Sequence, residues 1–179
     1  MLEEIRDSLY TTAWFGLMTA VWFGWAQEEP PARGRTALIV GAVLGLAIAV
    51  GFGVLTALHW PEPTALTGRY GLFGIVVAAE VLLAGGGAAG FLLTGHGRWV
   101  AWWVALVVAV HFISLAWIFS GPSLVWLGIV EVVALAVVAV LVRSSAYPTS
   151  RWVGPVMGLT ILAFAVVNGV AVLQRMASA

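Results

Sequence analysis

The chain contains no cysteine and no lysine. Without thiols there is no disulfide framework, no thiolate nucleophile and no zinc–thiolate site. Without lysine there is no Schiff-base chemistry, and every one of the basic residues is arginine. Charged residues make up only 9% of 179 residues and the formal net charge is zero. Nothing in that balance points to nucleic acid or another acidic polymer as a partner. P-loop, dinucleotide-fingerprint, channel-filter and H-E-x-x-H patterns are all missing, so no cofactor is expected. The first residues, Met1 to Asp7, are net acidic. No small-residue cleavage site follows the first apolar run, so that run is expected to stay in the protein rather than leave as a signal peptide.

What fills the chain is hydrocarbon: 62% of residues are hydrophobic. Six apolar runs stand out, at Ser8–Ala26, Thr36–Trp60, Tyr70–Thr94, Trp99–Phe119, Ser123–Val142 and Trp152–Leu173. Each has about 19–25 residues, enough at ~1.5 Å per residue to cross ~30 Å of bilayer core. Proline and glycine cluster between the runs, where helices stop. Asp7 or Ser8 is a candidate cap for the first helix, and Pro122 suits the first turn of the fifth. No linker is long enough to separate domains. The expectation is an all-α, polytopic bundle of six transmembrane helices with short loops, one domain over residues 1–179, with the lipid bilayer as its surroundings.

The face carrying the N-terminus is called side A here. It holds Arg6, Arg69 and Arg175, against Arg33, Arg35, Arg98, Arg143 and Arg151 on side B. The excess of arginine favours side B (loops 27–36, 95–98 and 143–151) as cytoplasmic. Trp22, Trp25, Trp99, Trp102, Trp103 and Trp152 sit toward the side-B helix ends, as an interfacial aromatic belt does. Gly41 and Gly45 on the second run and Gly85–Gly90 on the third are expected to allow close helix packing.

Against this background four polar residues are costly. Glu80, His111, Glu131 and Asn168 each lie well inside an apolar run. A carboxylate at the centre of a span costs roughly 2.5–3.5 kcal/mol on insertion scales, which makes it a functional-site candidate by default. Counted along alternating helices, all four lie ~9–15 Å below side A. Tyr10, Thr11 and Thr12 enter from the first helix near that side. A shared site built by helices three to six follows, with Glu80, His111, Glu131 and Asn168 as candidate catalytic groups. A buried hydrogen-bond network serving only packing is the competing reading. Such bonds average about 0.6 kcal/mol in membranes, which makes two glutamates an expensive glue. His111, Glu80 and Glu131 are metal-ligand types, but no paired-histidine spacing accompanies them and no metal is expected.

Two carboxyls in one dry site would hold a proton between them and so place a donor beside a base. The same half of the chain is rich in aromatic residues. Trp14, Phe73, Phe112, Trp117, Trp126, Phe164 and Tyr10 are candidate substrate-binding residues. Aromatic faces stabilise a cation by ~0.5–2 kcal/mol each. An acid in an aromatic cavity suits protonation of a lipid-soluble substrate and shelter of the resulting carbocation. The expected function is protonation-initiated cyclisation of an isoprenoid-type lipid. The alternatives are a small-solute or proton-coupled transporter or binding component, and a structural membrane subunit.

Two segments, "VHFISLAWIF" (Val110–Phe119) and "WFGWAQEEPP" (Trp22–Pro31), resemble parts of small multi-spanning proteins of actinobacteria. That resemblance implies a bacterial cell membrane and no known activity. The combination of intramembrane acid and aromatics is similar in character to membrane-bound terpene cyclases, without a shared motif. The six-run length is similar to the substrate-binding components of energy-coupling-factor importers. Gly16, Ala20 and Gly24 give a small-residue stripe like the one on their first helix. Those components bind on the face opposite their N-terminus, whereas the polar groups here lie on the N-terminal side.

Overall fold

The computed structural model describes residues 2, 4–31 and 33–178; Met1 and Glu3 of the acidic start lie outside the described residues. Six α-helices follow one another: α1 (Ile5–Trp25), α2 (Arg35–Leu58), α3 (Tyr70–Leu93), α4 (Val100–Ile118), α5 (Pro122–Val142) and α6 (Ser150–Ala177). Short 3-10 turns at Ala26–Glu28 and Gly97–Trp99 complete the helical content, and no strand occurs among the described residues. The helices alternate in direction, as contacts between their ends show. Arg6 at the start of α1 donates to the carbonyl of Trp60 just past α2, and Arg69 before α3 donates to Ile118 at the end of α4. At the other face Arg98 donates to the carbonyl of Arg143.

The five helices from α2 to α6 are long and apolar enough to cross a membrane. Helix α1 is shorter on hydrophobicity because of Arg6, Asp7 and its threonines, yet it is heavily buried, packed between α2 and α6. The two facts belong together. The face of α1 turned to α2 and α6 need not satisfy lipid, and its hydroxyls bond within the helix, Thr12 to the Ser8 carbonyl at 2.8 Å and Thr19 to that of Phe15 at 2.8 Å, while Tyr10, Trp14, Leu17 and Val21 form its exposed stripe. The crossing of α1 and α2 is a backbone-to-backbone contact at Gly16 and Gly45. A Cβ on Gly45 would lie 2.6 Å from the Gly16 carbonyl oxygen. Gly154 of α6 meets the Trp22 carbonyl and Ala26, and Gly158 makes room for the Phe23 ring.

Helix α4 carries a buried stripe, Ala101, Ala105, Ala109, Phe112 and Ala116. Its small residues let α5 approach until a Cβ on Gly128 would meet the Ala109 carbonyl at 2.6 Å. Helix α3 differs from the rest: it packs chiefly on α4 and has no buried residue. Gly87 meets the Trp103 indole, while Gly85, Gly86 and Gly90 face open space, so most of that glycine run does not serve the close packing expected of it.

Helix α1 starts at Ile5, with Glu4 before it and no side-chain cap. Asp7, a candidate cap, instead turns its carboxylate into the α2–α3 connection, accepting from Thr64 Oγ1 at 2.6 Å and from the Ala65 amide at 2.8 Å. Pro122 does occupy the first turn of α5.

Candidate functional site

Glu80 and His111 meet across the α3–α4 contact. His111 Nε2 lies 3.4 Å from Glu80 Oε2, with the histidine nearly enclosed and the glutamate side chain 22% exposed. Alternation of helix direction brings the tenth or so residue of α3 level with the middle of α4, which is why residues 31 apart in sequence pair.

The pair stands between two cavities. The first, of about 220 Å³, fills the gap between α1, α3 and α4 on the side-A side of the pair. Its wall is aromatic: Tyr10, Trp14 and Phe15 from α1, Phe73 from α3 and Phe119 at the end of α4. Phe73 meets Phe119 edge-on at 6.0 Å between ring centroids. Tyr10 and Trp14 are 44% and 47% exposed, so the rim between α1 and α3 opens sideways, where lipid would lie. The second cavity, of about 300 Å³, follows the α3–α4 groove toward side B between Val76, Leu83, Trp103 and Val110. The Trp103 indole donates to the Leu83 carbonyl at 2.9 Å and bridges the two helices there.

The α1–α3 gap exists because the α2–α3 connection holds these helices together only at their side-A ends. Arg6 reaches the Trp60 carbonyl at 2.8 Å and the Tyr70 hydroxyl at 3.2 Å, and Asp7 holds residues 64–65. Beneath these clamps neither helix fills the space.

The expected four-residue site is divided by the structure. Glu131 is fully buried on α5, its Oε1 accepting from Thr160 Oγ1 of α6 at 2.9 Å. It lines neither of the two cavities beside Glu80. Helix α4 explains the separation: α3 packs on it from one side and α5 from another, and α3 makes no comparable contact with α5 or α6. Helices three to six therefore do not converge on one point. Asn168 belongs to a third group. Its Nδ2 donates to the Ser8 carbonyl at 2.9 Å and to Thr12 Oγ1 at 2.8 Å, fastening α6 to α1. Arg175 extends that clamp to Ser8 Oγ at 2.7 Å and the Leu2 carbonyl at 3.1 Å.

The aromatic candidates also divide. Trp14, Phe73 and Tyr10 line the cavity. Phe112 and Phe164 do not; both pack against Phe15 from behind, at centroid distances of 5.2 and 5.3 Å. Trp117 and Trp126 are 74% and 68% exposed and point outward from the bundle. Thr11, Phe15, Phe119, Val77, Leu115 and Leu124 complete the lining. Phe15 has a readable signal, since it lies one helical turn from Thr11 and Thr12 on the polar-flanked face of α1. Among the described residues no three His, Cys, Asp or Glu side chains converge as metal ligands do.

Comparison with protein-family models, curated proteins and solved structures finds no match to the chain.

Proposed function

We propose that the protein is a membrane-embedded acid–base enzyme of the bacterial cell membrane, acting on a lipid-soluble isoprenoid-type substrate by protonation-initiated cyclisation. In this reading α1 crosses as a sixth span beside the five apolar ones, and the arginine excess holds side B in the cytoplasm. The observation that carries it is the Glu80–His111 pair at the inner end of an aromatic cavity whose rim opens between α1 and α3.

Each part then has a task. The substrate chain passes between Tyr10 and Trp14 from the bilayer. Glu80 gives its proton to an alkene carbon, and the carbocation forms against aromatic faces that stabilise positive charge. A second alkene of the same chain supplies the electron pair for the new carbon–carbon bond. The neighbouring carbon releases a proton to His111, which returns it to Glu80. Atoms balance, and the product is an isomer of the substrate. Apart from Glu80, His111 and Thr11 the cavity beside the pair is walled by apolar and aromatic side chains, which favours a prenyl chain there over a hydrated solute.

A second reading, proton-coupled transport, is favoured by one observation: the pair separates a side-A cavity from one directed toward side B. The two readings part in one experiment. Membranes holding the protein are incubated in deuterated water with a panel of prenylated lipids, and the products are analysed by mass. The enzyme reading expects cyclic isomers carrying one deuterium. Unlabelled lipids throughout, with solute-dependent pH change in sealed vesicles, would transfer the assignment to transport.

A further inference from the structure

The acid cavity has an upper chamber. A third cavity, of about 190 Å³, lies at side A and shares Tyr10, Phe73 and Phe119 with the aromatic cavity beneath it. Its remaining walls are unlike that cavity's, for they include Arg6, Asp7, Thr64 and the hydroxyl-bearing Tyr70. The sequence of environments, from side A inward, is thus a polar chamber holding Arg6 and Asp7, an aromatic chamber and a carboxyl–imidazole pair. We propose that this series is a binding site for an amphiphile with an anionic head group, a phosphate or a carboxylate, held at Arg6 with its apolar chain directed down to Glu80. This inference rests on the reading of Glu80 and His111 as the reacting pair, and it names the class of substrate that reaches them.

Arg6 carries the argument. Its guanidinium donates to the Trp60 carbonyl and to the Tyr70 hydroxyl and lies over the Trp60 ring at 5.0 Å. These partners are all neutral, and no described carboxylate comes within ion-pairing distance, so its charge is left for an anion. Asp7 lines the same chamber and brings a negative charge to it, but both its oxygens are turned to Thr64 Oγ1 and the Ala65 amide and neither pairs with Arg6. An arginine held in place by neutral groups, with its planar donors fixed, matches phosphate and carboxylate geometry.

The length of the site follows from α3. Tyr70 stands beside Arg6 and Glu80 ends the path, so ten residues of rise separate them, ~15 Å. At about 1.2 Å per bond for an extended chain, the reacting carbon lies roughly twelve bonds from the head group. A chain of three isoprene units spans that distance.

The test is a binding measurement that does not depend on turnover. Trp14 and Trp60 line the two chambers, so quenching or enhancement of intrinsic fluorescence in the detergent-purified protein reports occupancy. Farnesyl phosphate, farnesoic acid, farnesol and inorganic phosphate are titrated in turn. Both anionic prenyl compounds are expected to bind about tenfold or more tighter than farnesol. Inorganic phosphate alone is expected not to compete at millimolar concentration, which separates an amphiphile site from a free-anion site. Arg6→Gln should bring the anionic compounds to the level of farnesol, Arg6→Lys should keep only part of the difference, and Tyr70→Phe should keep most of it. Should Arg6→Gln fail to fold, the wild-type ratio of farnesyl phosphate to farnesol decides alone. A ratio near one overturns the inference, as does displacement by inorganic phosphate. Tight anionic binding retained in Glu80→Gln without any conversion by the wild type would refute the cyclase chemistry and leave the site standing. Conversion of neutral prenyl lipids, unaffected at Arg6, would do the reverse.

Discussion

Replacing Glu131 by leucine should stabilise the protein. The glutamate is fully enclosed; Thr160 serves its Oε1, and its Oε2 has no hydrogen-bond partner among the described residues. A buried polar atom left without a partner costs about 1–3 kcal/mol. The one bond present is worth about 0.6 kcal/mol in a membrane. Removing it does not strand Thr160, whose hydroxyl also reaches the carbonyls of Val156 at 3.0 Å and Met157 at 3.1 Å. Leucine is close in volume, is favoured at a helix centre by about 0.3–0.6 kcal/mol, and would join Leu127 and Leu135 on the buried face of α5. The net gain is about 1–2 kcal/mol. For a chain of this size that is a rise of roughly 2–8 °C in the unfolding midpoint. Thermal unfolding in detergent, followed by tryptophan fluorescence, measures it. A midpoint lowered by several degrees would refute the reasoning, because it would mean that Glu131 makes a stabilising contact beyond Thr160.

Gly45→Val should prevent α1 and α2 from closing, since a Cβ there meets the Gly16 carbonyl oxygen at 2.6 Å and the Ala20 amide nitrogen at 3.0 Å. A loss of about 1–3 kcal/mol or more, read as a lowered midpoint or loss of folded yield, is expected. Asn168→Leu removes two donated bonds between α6 and α1 together with a buried, unpartnered Oδ1, so the two effects nearly cancel and the same assay should show a change of no more than about 1 kcal/mol. Phe73→Ala should slow product formation by about 2- to 30-fold through loss of one aromatic face. Trp117→Ala and Trp126→Ala, whose rings point outward, should leave the rate within about twofold.

Much of this arrangement was legible in the chain. Helix number and spacing follow from apolar run length, and the run limits fall within a few residues of the observed helices, the largest departure being the C-terminal end of α6, which continues to Ala177. Burial of α1 was not legible, because its apolar run reads as a span like the other five, while Thr12 and Thr19 lie on the face that α6 and α2 cover. Depth along a helix predicted that Glu80 and His111 would meet. It also placed Glu131 and Asn168 at the same level, and there it misled. Depth fixes one coordinate, while the angle around the bundle depends on which helices are neighbours. Short up–down loops leave that angle open. Trp117 and Phe73 show the same limit: both lie in the aromatic half, yet one faces outward and the other lines the cavity.

In the proposed reaction Glu80, and not Glu131, supplies the proton. Deuterium incorporation into a prenylated lipid, compared between Glu80→Gln and Glu131→Gln in membranes of equal protein content, tests it most directly. Glutamine keeps volume and hydrogen bonding but cannot give the proton. Glu80→Gln is expected to abolish incorporation, whereas Glu131→Gln is expected to retain it at close to the wild-type rate. Incorporation that survives in Glu80→Gln, or is lost in a folded Glu131→Gln, would contradict that assignment.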